Sequence, residues 1–117
     1  MRYIDAFVAS VPDSQRDAYL AFSKRIAGLF KDYGALRVVD CWGDDVPEGK
    51  LTSFPMAVKR EPGETVVFGW VEWPDKAARL AGWQKIEADP RMGPDASAPP
   101  FDGKRMIFGA FETISDA

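Results

Sequence analysis

Apolar residues fall into two rhythms along this chain, and the rhythms divide it into elements. Over residues 3–11 the odd positions are Tyr3, Asp5, Phe7, Ala9 and Val11, and the even ones Ile4, Ala6, Val8 and Ser10. A period-two segment that is largely apolar on both sides predicts a β-strand with neither face left to water. Pro12 stops it, and Ser14 with Asp17 three residues on has the spacing of a capping box at a helix start. Tyr19, Phe22, Ile26, Leu29, Phe30 and Tyr33 then recur at steps of three and four. That spacing lays them along one stripe of an amphipathic helix that ends before Gly34.

Residues 35–42 read as a second strand, with Leu36, Val38, Val39, Cys41 and Trp42 as its apolar content. Gly, Pro and Asp crowd residues 43–50 and mark an excursion. Residues 52–59 form a weaker extended piece, interrupted by Pro55 and therefore placed at a sheet edge. Residues 65–73 carry the strongest strand signal, with valines and aromatics on both alternations. Pro74 ends that strand, and Asp75 is placed to cap a second helix through Ala77, Leu80, Trp83 and Ile86. Pro90 disfavours helix at Asp89, so this helix stops there. A loop over residues 90–103 and a last strand over 104–114 complete the chain.

The order is β-α-β, an edge piece, then β-α-β. It predicts an α+β ferredoxin-like domain spanning residues 1–117: a four-stranded antiparallel sheet with two helices on one face. Two helices cover one face only, yet the strands are apolar on both. An open apolar sheet face exceeds the patch that a monomer tolerates, so a homodimer packed face to face is expected. Burying on the order of 600–800 Å² of apolar surface per subunit is worth roughly 15–20 kcal/mol gross, before association costs.

Composition narrows the chemistry. The 117 residues contain no histidine and one cysteine. Those two counts remove His-based triads, His general acid–base work, His-containing metal sites and single-chain thiolate clusters. The net charge of −3, with basic residues scattered, argues against nucleic acid as a partner. No signal-peptide pattern and no membrane-length apolar run is visible, and the lone cysteine fits a reducing compartment. A cytoplasmic protein is expected, with no membrane partner, no metal and no cofactor.

What remains rests on carboxylates, the thiol, cations and aromatics. Asp40 and Glu72 are carboxylates inside apolar strands: buried, they serve as general acid or base; otherwise they sit at strand ends or pair with arginine or lysine. Cys41 reads first as a small buried hydrophobe, and as a nucleophile only beside a cation or a helix N-terminus. Asp44, Asp45 and Glu48 carry oxygen ligands but lack the spacing of a calcium loop, so a solvated turn is the better account. Lys104 and Arg105 follow an Asp102-Gly103 turn and either present cations to an anionic ligand or form structural ion pairs. Arg91 joins them as a cationic candidate. Trp42, Trp70, Trp73 and Trp83 either line an apolar pocket or belong to plain core.

Several short runs, taken in order, add a resemblance. Gly34-Ala35-Leu36-Arg37, Cys41-Trp42, Asp45-Val46-Pro47, Gly49-Lys50, Asp89-Pro90-Arg91-Met92 and residues 100–107 together resemble the DUF1428, or YbaA-like, family of uncharacterised bacterial proteins. The resemblance covers essentially the whole chain and implies the dimeric α/β-barrel variant of the ferredoxin-like fold. It brings no activity with it. The wider superfamily includes cofactor-free oxygenases, haem-degrading enzymes and ligand sensors, and the haem-handling members often use a histidine that this chain lacks. Three readings follow. The first is a homodimer that is structural or binds a small apolar or anionic ligand. The second is a cofactor-free oxygenase- or isomerase-like enzyme using Asp40 or Glu72 in an apolar pocket. The third, least supported by charge, is RNA association through Arg91, Lys104 and Arg105.

Overall fold

The computed structural model describes residues 1–92 and 98–117. Among them the elements run β1 (Tyr3–Pro12), α1 (Arg16–Asp32), β2 (Arg37–Trp42), α2 (Phe54–Ala57), β3 (Glu64–Trp73), α3 (Lys76–Ala88) and β4 (Ile107–Glu112). The strands form one sheet in the order β2-β3-β1-β4, with every neighbouring pair antiparallel. This is the ferredoxin-like arrangement that the element order predicts. None of the described helices is long and apolar enough to cross a membrane.

α1 and α3 pack on the face carrying the odd positions of β1. The larger core cluster joins Leu29 and Phe30 of α1 to Val71 and Trp73 of β3 and Ile86 of α3, and a second joins Ala9, Val11, Tyr19 and Val67. Trp73 is fully buried. Its ring lies against Gly82 of α3, where an added Cβ would stand 2.5 Å from the indole. The helix thus uses a glycine to come close to the sheet, and a truncated Trp73 would cost about 3–5 kcal/mol. The Asp75 side chain caps α3 by accepting from the Ala78 N–H, as its position suggests.

Four local expectations need correction. Residues 52–59 are not an edge strand: Phe54–Ala57 is one turn of helix, capped by the Ser53 hydroxyl, with Pro55 in its first turn where no N–H is required. The Ser14 capping box does not form; a short 3₁₀ turn at Asp13–Gln15 leads into α1, and Asp13 accepts from the Thr65 hydroxyl instead. β4 begins at Ile107 rather than at 104, because the Asp102 carboxylate holds Lys104 and Arg105 in a turn. Cys41 is exposed rather than buried, since its side lies away from α1 and α3.

The second sheet face carries Ile4, Ala6 and Val8 of β1, Val66, Phe68 and Trp70 of β3, and Ile107 and Phe111 of β4. α2 covers one end of it, where Val58 packs on Val8 and Val66 and Phe54 meets Phe68 edge-on. The two-helix picture therefore misses a third, one-turn cover. Beyond that cover the face is open, with Ile107 44% and Phe111 57% exposed.

Candidate functional site

A cavity of about 820 Å³ lies between the sheet and α1 and α3. The stripe of α1 supplies Tyr19, Phe22, Ser23, Ile26 and Phe30; the sheet supplies Asp5, Phe7, Val38, Asp40, Val71 and Phe108; α3 supplies Arg79, Leu80 and Trp83. Phe101 and Met106 close one side. Its walls are mostly apolar, with a few polar groups, which is the usual make-up of a small-molecule site.

Three carboxylates line this space; Glu87 is exposed, and the surroundings of the other two differ. Asp5 is matched: the Trp73 and Trp83 indoles donate to its Oδ2 at 2.9 and 3.0 Å, and the Arg79 guanidinium donates to it at 2.9–3.1 Å. Among the described residues, only hydroxyls donate to the Asp40 side chain. Tyr19 donates to Oδ1 at 2.7 Å and Ser23 donates to Oδ2. Among the described residues no cation lies within ion-pair distance of Asp40. Burial, and then the neighbouring carboxylate, push the Tyr19 phenol far above the ordinary tyrosine range, so this hydroxyl stays a donor.

Gly69 makes room for the arrangement. It faces Phe7 on one side and Asp40 on the other, and a Cβ there would stand 2.5 Å from the Phe7 ring and 2.7 Å from Asp40 Oδ1. A glycine inside the strongest strand was the available signal of such a close approach. Asp5, Arg79, Tyr19 and Ser23 were not singled out from the sequence. Their partners lie far away along the chain, 68–78 residues in the case of Asp5.

The remaining candidates lie elsewhere or are already engaged. Glu72 is on the opposite face, where Trp70 donates to it at 3.0 Å and Arg2 and Arg37 pair with it at 2.7 and 3.7 Å; these contacts lower its pKa. Trp70 shares that face, half-buried beside Phe68. Cys41 and Trp42 border a separate hollow of about 230 Å³ with Val46, Phe54 and Phe68. Arg91 lines the rim of the large cavity but is tied to Asp89 and Asp32 at 2.9 and 3.0 Å. Lys104 is exposed. Arg105 grips Glu64 with two bonds of 2.8 Å and also donates to Asp102 and the Lys59 carbonyl. Asp44, Asp45 and Glu48 are exposed, and among the described residues no three metal-binding side chains converge.

The family model described as "Protein of unknown function (DUF1428)" matches residues 2–103. The chain belongs to the DUF1428 family. This DUF1428 protein is 53% identical over 116 residues to the uncharacterised protein YbaA of Escherichia coli strain K12, covering 99% of each chain. Among solved structures it is similar to a dimeric ferredoxin-like protein from an uncultured marine organism, with a TM-score of 0.62 at 11% identity and full coverage of both chains. It is also similar to MhuD with two manganese protoporphyrin IX groups bound per active site, with a TM-score of 0.60 at 16% identity, covering 98% of this chain and 97% of that one. At such identities the likeness shows the fold alone.

The Glu64–Arg105 pair gives a pH test. The Arg105 hydrogen bonds outweigh burial and bring the Glu64 carboxyl down to about 2. A carboxyl lowered on folding adds stability that is present above its unfolded value of about 4.3 and lost as pH falls toward 2. Urea unfolding of Arg105→Met should show a loss of about 2 kcal/mol at pH 7 and a flatter decline between pH ~4.5 and ~2 than the native protein. Equal slopes for the two proteins would contradict this role.

Proposed function

We propose that this DUF1428 protein is a homodimer that binds a small, largely apolar organic molecule in the cavity between its sheet and helices. The observation that carries the reading is the cavity itself: roughly 820 Å³ of apolar-walled space with a hydroxyl-held carboxylate, Asp40, in its wall. A mutant of MhuD, similar in fold, holds two manganese protoporphyrin IX groups per active site, which supports a ligand-binding reading.

The homodimer reading rests on the open second face. Ile107 and Phe111, beside the half-buried Trp70, form an apolar surface beyond the reach of α2, and the similar marine protein is described as dimeric. A second reading, proton-transfer catalysis of the isomerase or cofactor-free oxygenase kind, draws support from the same Asp40, a carboxylate in an apolar wall within reach of a bound molecule. Glu72, paired on the far side of the sheet, does not enter either reading.

Two measurements test these statements. The neutral fluorescent probe N-phenyl-naphthylamine should bind the native protein and lose at least about tenfold in affinity to Ile26→Trp, which fills the cavity, with far-UV circular dichroism confirming the fold. Unchanged binding in that variant would remove the pocket from the account. In light scattering coupled to size exclusion, the native protein should show twice the chain mass and Phe111→Asp a single chain. A monomeric native protein would contradict the dimer.

A further inference from the structure

The charged groups that line the cavity are not equally paired, and the difference points to a ligand class. Asp5 is balanced by Arg79 and two indole N–H groups, so its charge is already compensated. At the rim, Arg91 is compensated by Asp89 and Asp32, while Arg25 and Glu87 are exposed to water. Asp40, half-buried in the wall, accepts from the neutral hydroxyls of Tyr19 and Ser23, and among the described residues no cation lies within ion-pair distance of it. A half-buried carboxylate so placed gains most from a cation brought by a ligand, since charge-assisted hydrogen bonds are about twice as strong as neutral ones.

The walls beside Asp40 fit the same partner. Tyr19, whose hydroxyl holds the carboxylate, sits 6.5 Å from Phe22 and 6.0 Å from Phe101, and Phe22 and Phe101 meet edge-on at 5.9 Å. All three rings line the cavity. Clustered aromatic rings attract a cation through their quadrupoles, and such groupings recognise ammonium groups. Phe22 already demonstrates the attraction at the rim, where the Arg25 guanidinium stacks 5.5 Å from its ring, beyond ion-pair distance of Asp40.

Resting on the pocket reading above, we propose that the cavity takes an organic cation: a protonated amine on a ring-bearing apolar body, its ammonium group against Asp40 and its rings against Tyr19, Phe22 and Phe101. An anionic ligand would meet the uncompensated carboxylate and be disfavoured.

Three fluorescent probes separate the possibilities: proflavine, a flat cation; anilinonaphthalene sulfonate, an anion; and N-phenyl-naphthylamine, neutral. Proflavine should bind the native protein more tightly than either of the others. Asp40→Asn, which keeps the shape, should weaken proflavine at least about tenfold while changing the neutral probe less than about twofold. If the asparagine variant fails to fold, Asp40→Ser removes the charge with a smaller polar side chain, and the same ratio is read. Proflavine bound no more tightly than the anion, or weakened no more than the neutral probe, would overturn the cation assignment. In that event N-phenyl-naphthylamine binding that is lost in Ile26→Trp leaves the pocket standing. Absence of neutral-probe binding would overturn the pocket reading and the cation assignment with it.

Discussion

The Asp5 cluster is the constraint on which the arrangement of the site depends. One carboxylate on β1 gathers the Trp73 indole from β3 and the Arg79 and Trp83 side chains from α3, all within 3.1 Å. Each of its oxygens is satisfied, so a half-buried charge is tolerated and α3 is pinned at a definite height over the sheet. Together with the bed that Gly82 provides for Trp73, this fixes one wall of the cavity. α1 fixes the other by resting Leu29 and Phe30 on the same tryptophan region. Between these two anchored walls the space remains, and Asp40 faces it without a cation.

The division of labour between the two aspartates follows from their neighbours rather than from their own chemistry. Both sit on the helix-facing side of the sheet, one on β1 and one on β2. Asp5 meets the charged Arg79 guanidinium beside two neutral indole N–H groups, and its role is structural. Asp40 meets the hydroxyls of Tyr19 and Ser23 from α1, and the absent side chain at Gly69 gives its carboxylate room. The opposite face of the sheet has another pattern: Glu72 closes off with Arg2, Arg37 and Trp70 near one end, α2 covers the other, and the apolar middle is open.

Much of the architecture was legible in the sequence because it depends on local periodicity. The α1 stripe, the Asp75 cap and the two-sided strands each follow from spacing over fewer than about fifteen residues. α2 was read as strand because four residues are too few to show a helical period, and Pro55, taken as a strand interruption, is equally at home in a first helical turn. The site was less legible. Asp40 stood out as a carboxylate among apolar neighbours, whereas Asp5 looked like one polar position in an alternation, and its three partners come from β3 and α3. Pairings of that sequence separation leave no periodic trace. Lys104 and Arg105 were legible as cations that either face a ligand or form structural ion pairs, because adjacency is visible; that Glu64 is what engages Arg105 was not.

Hydrogen exchange on Asp5→Asn tests the central claim most directly, by asking whether the Asp5 cluster holds α3 over the cavity. The account predicts that amides of α3 exchange at least about tenfold faster in the variant, while those of the β1–β3 ladder stay protected. Unchanged protection across α3 would contradict it.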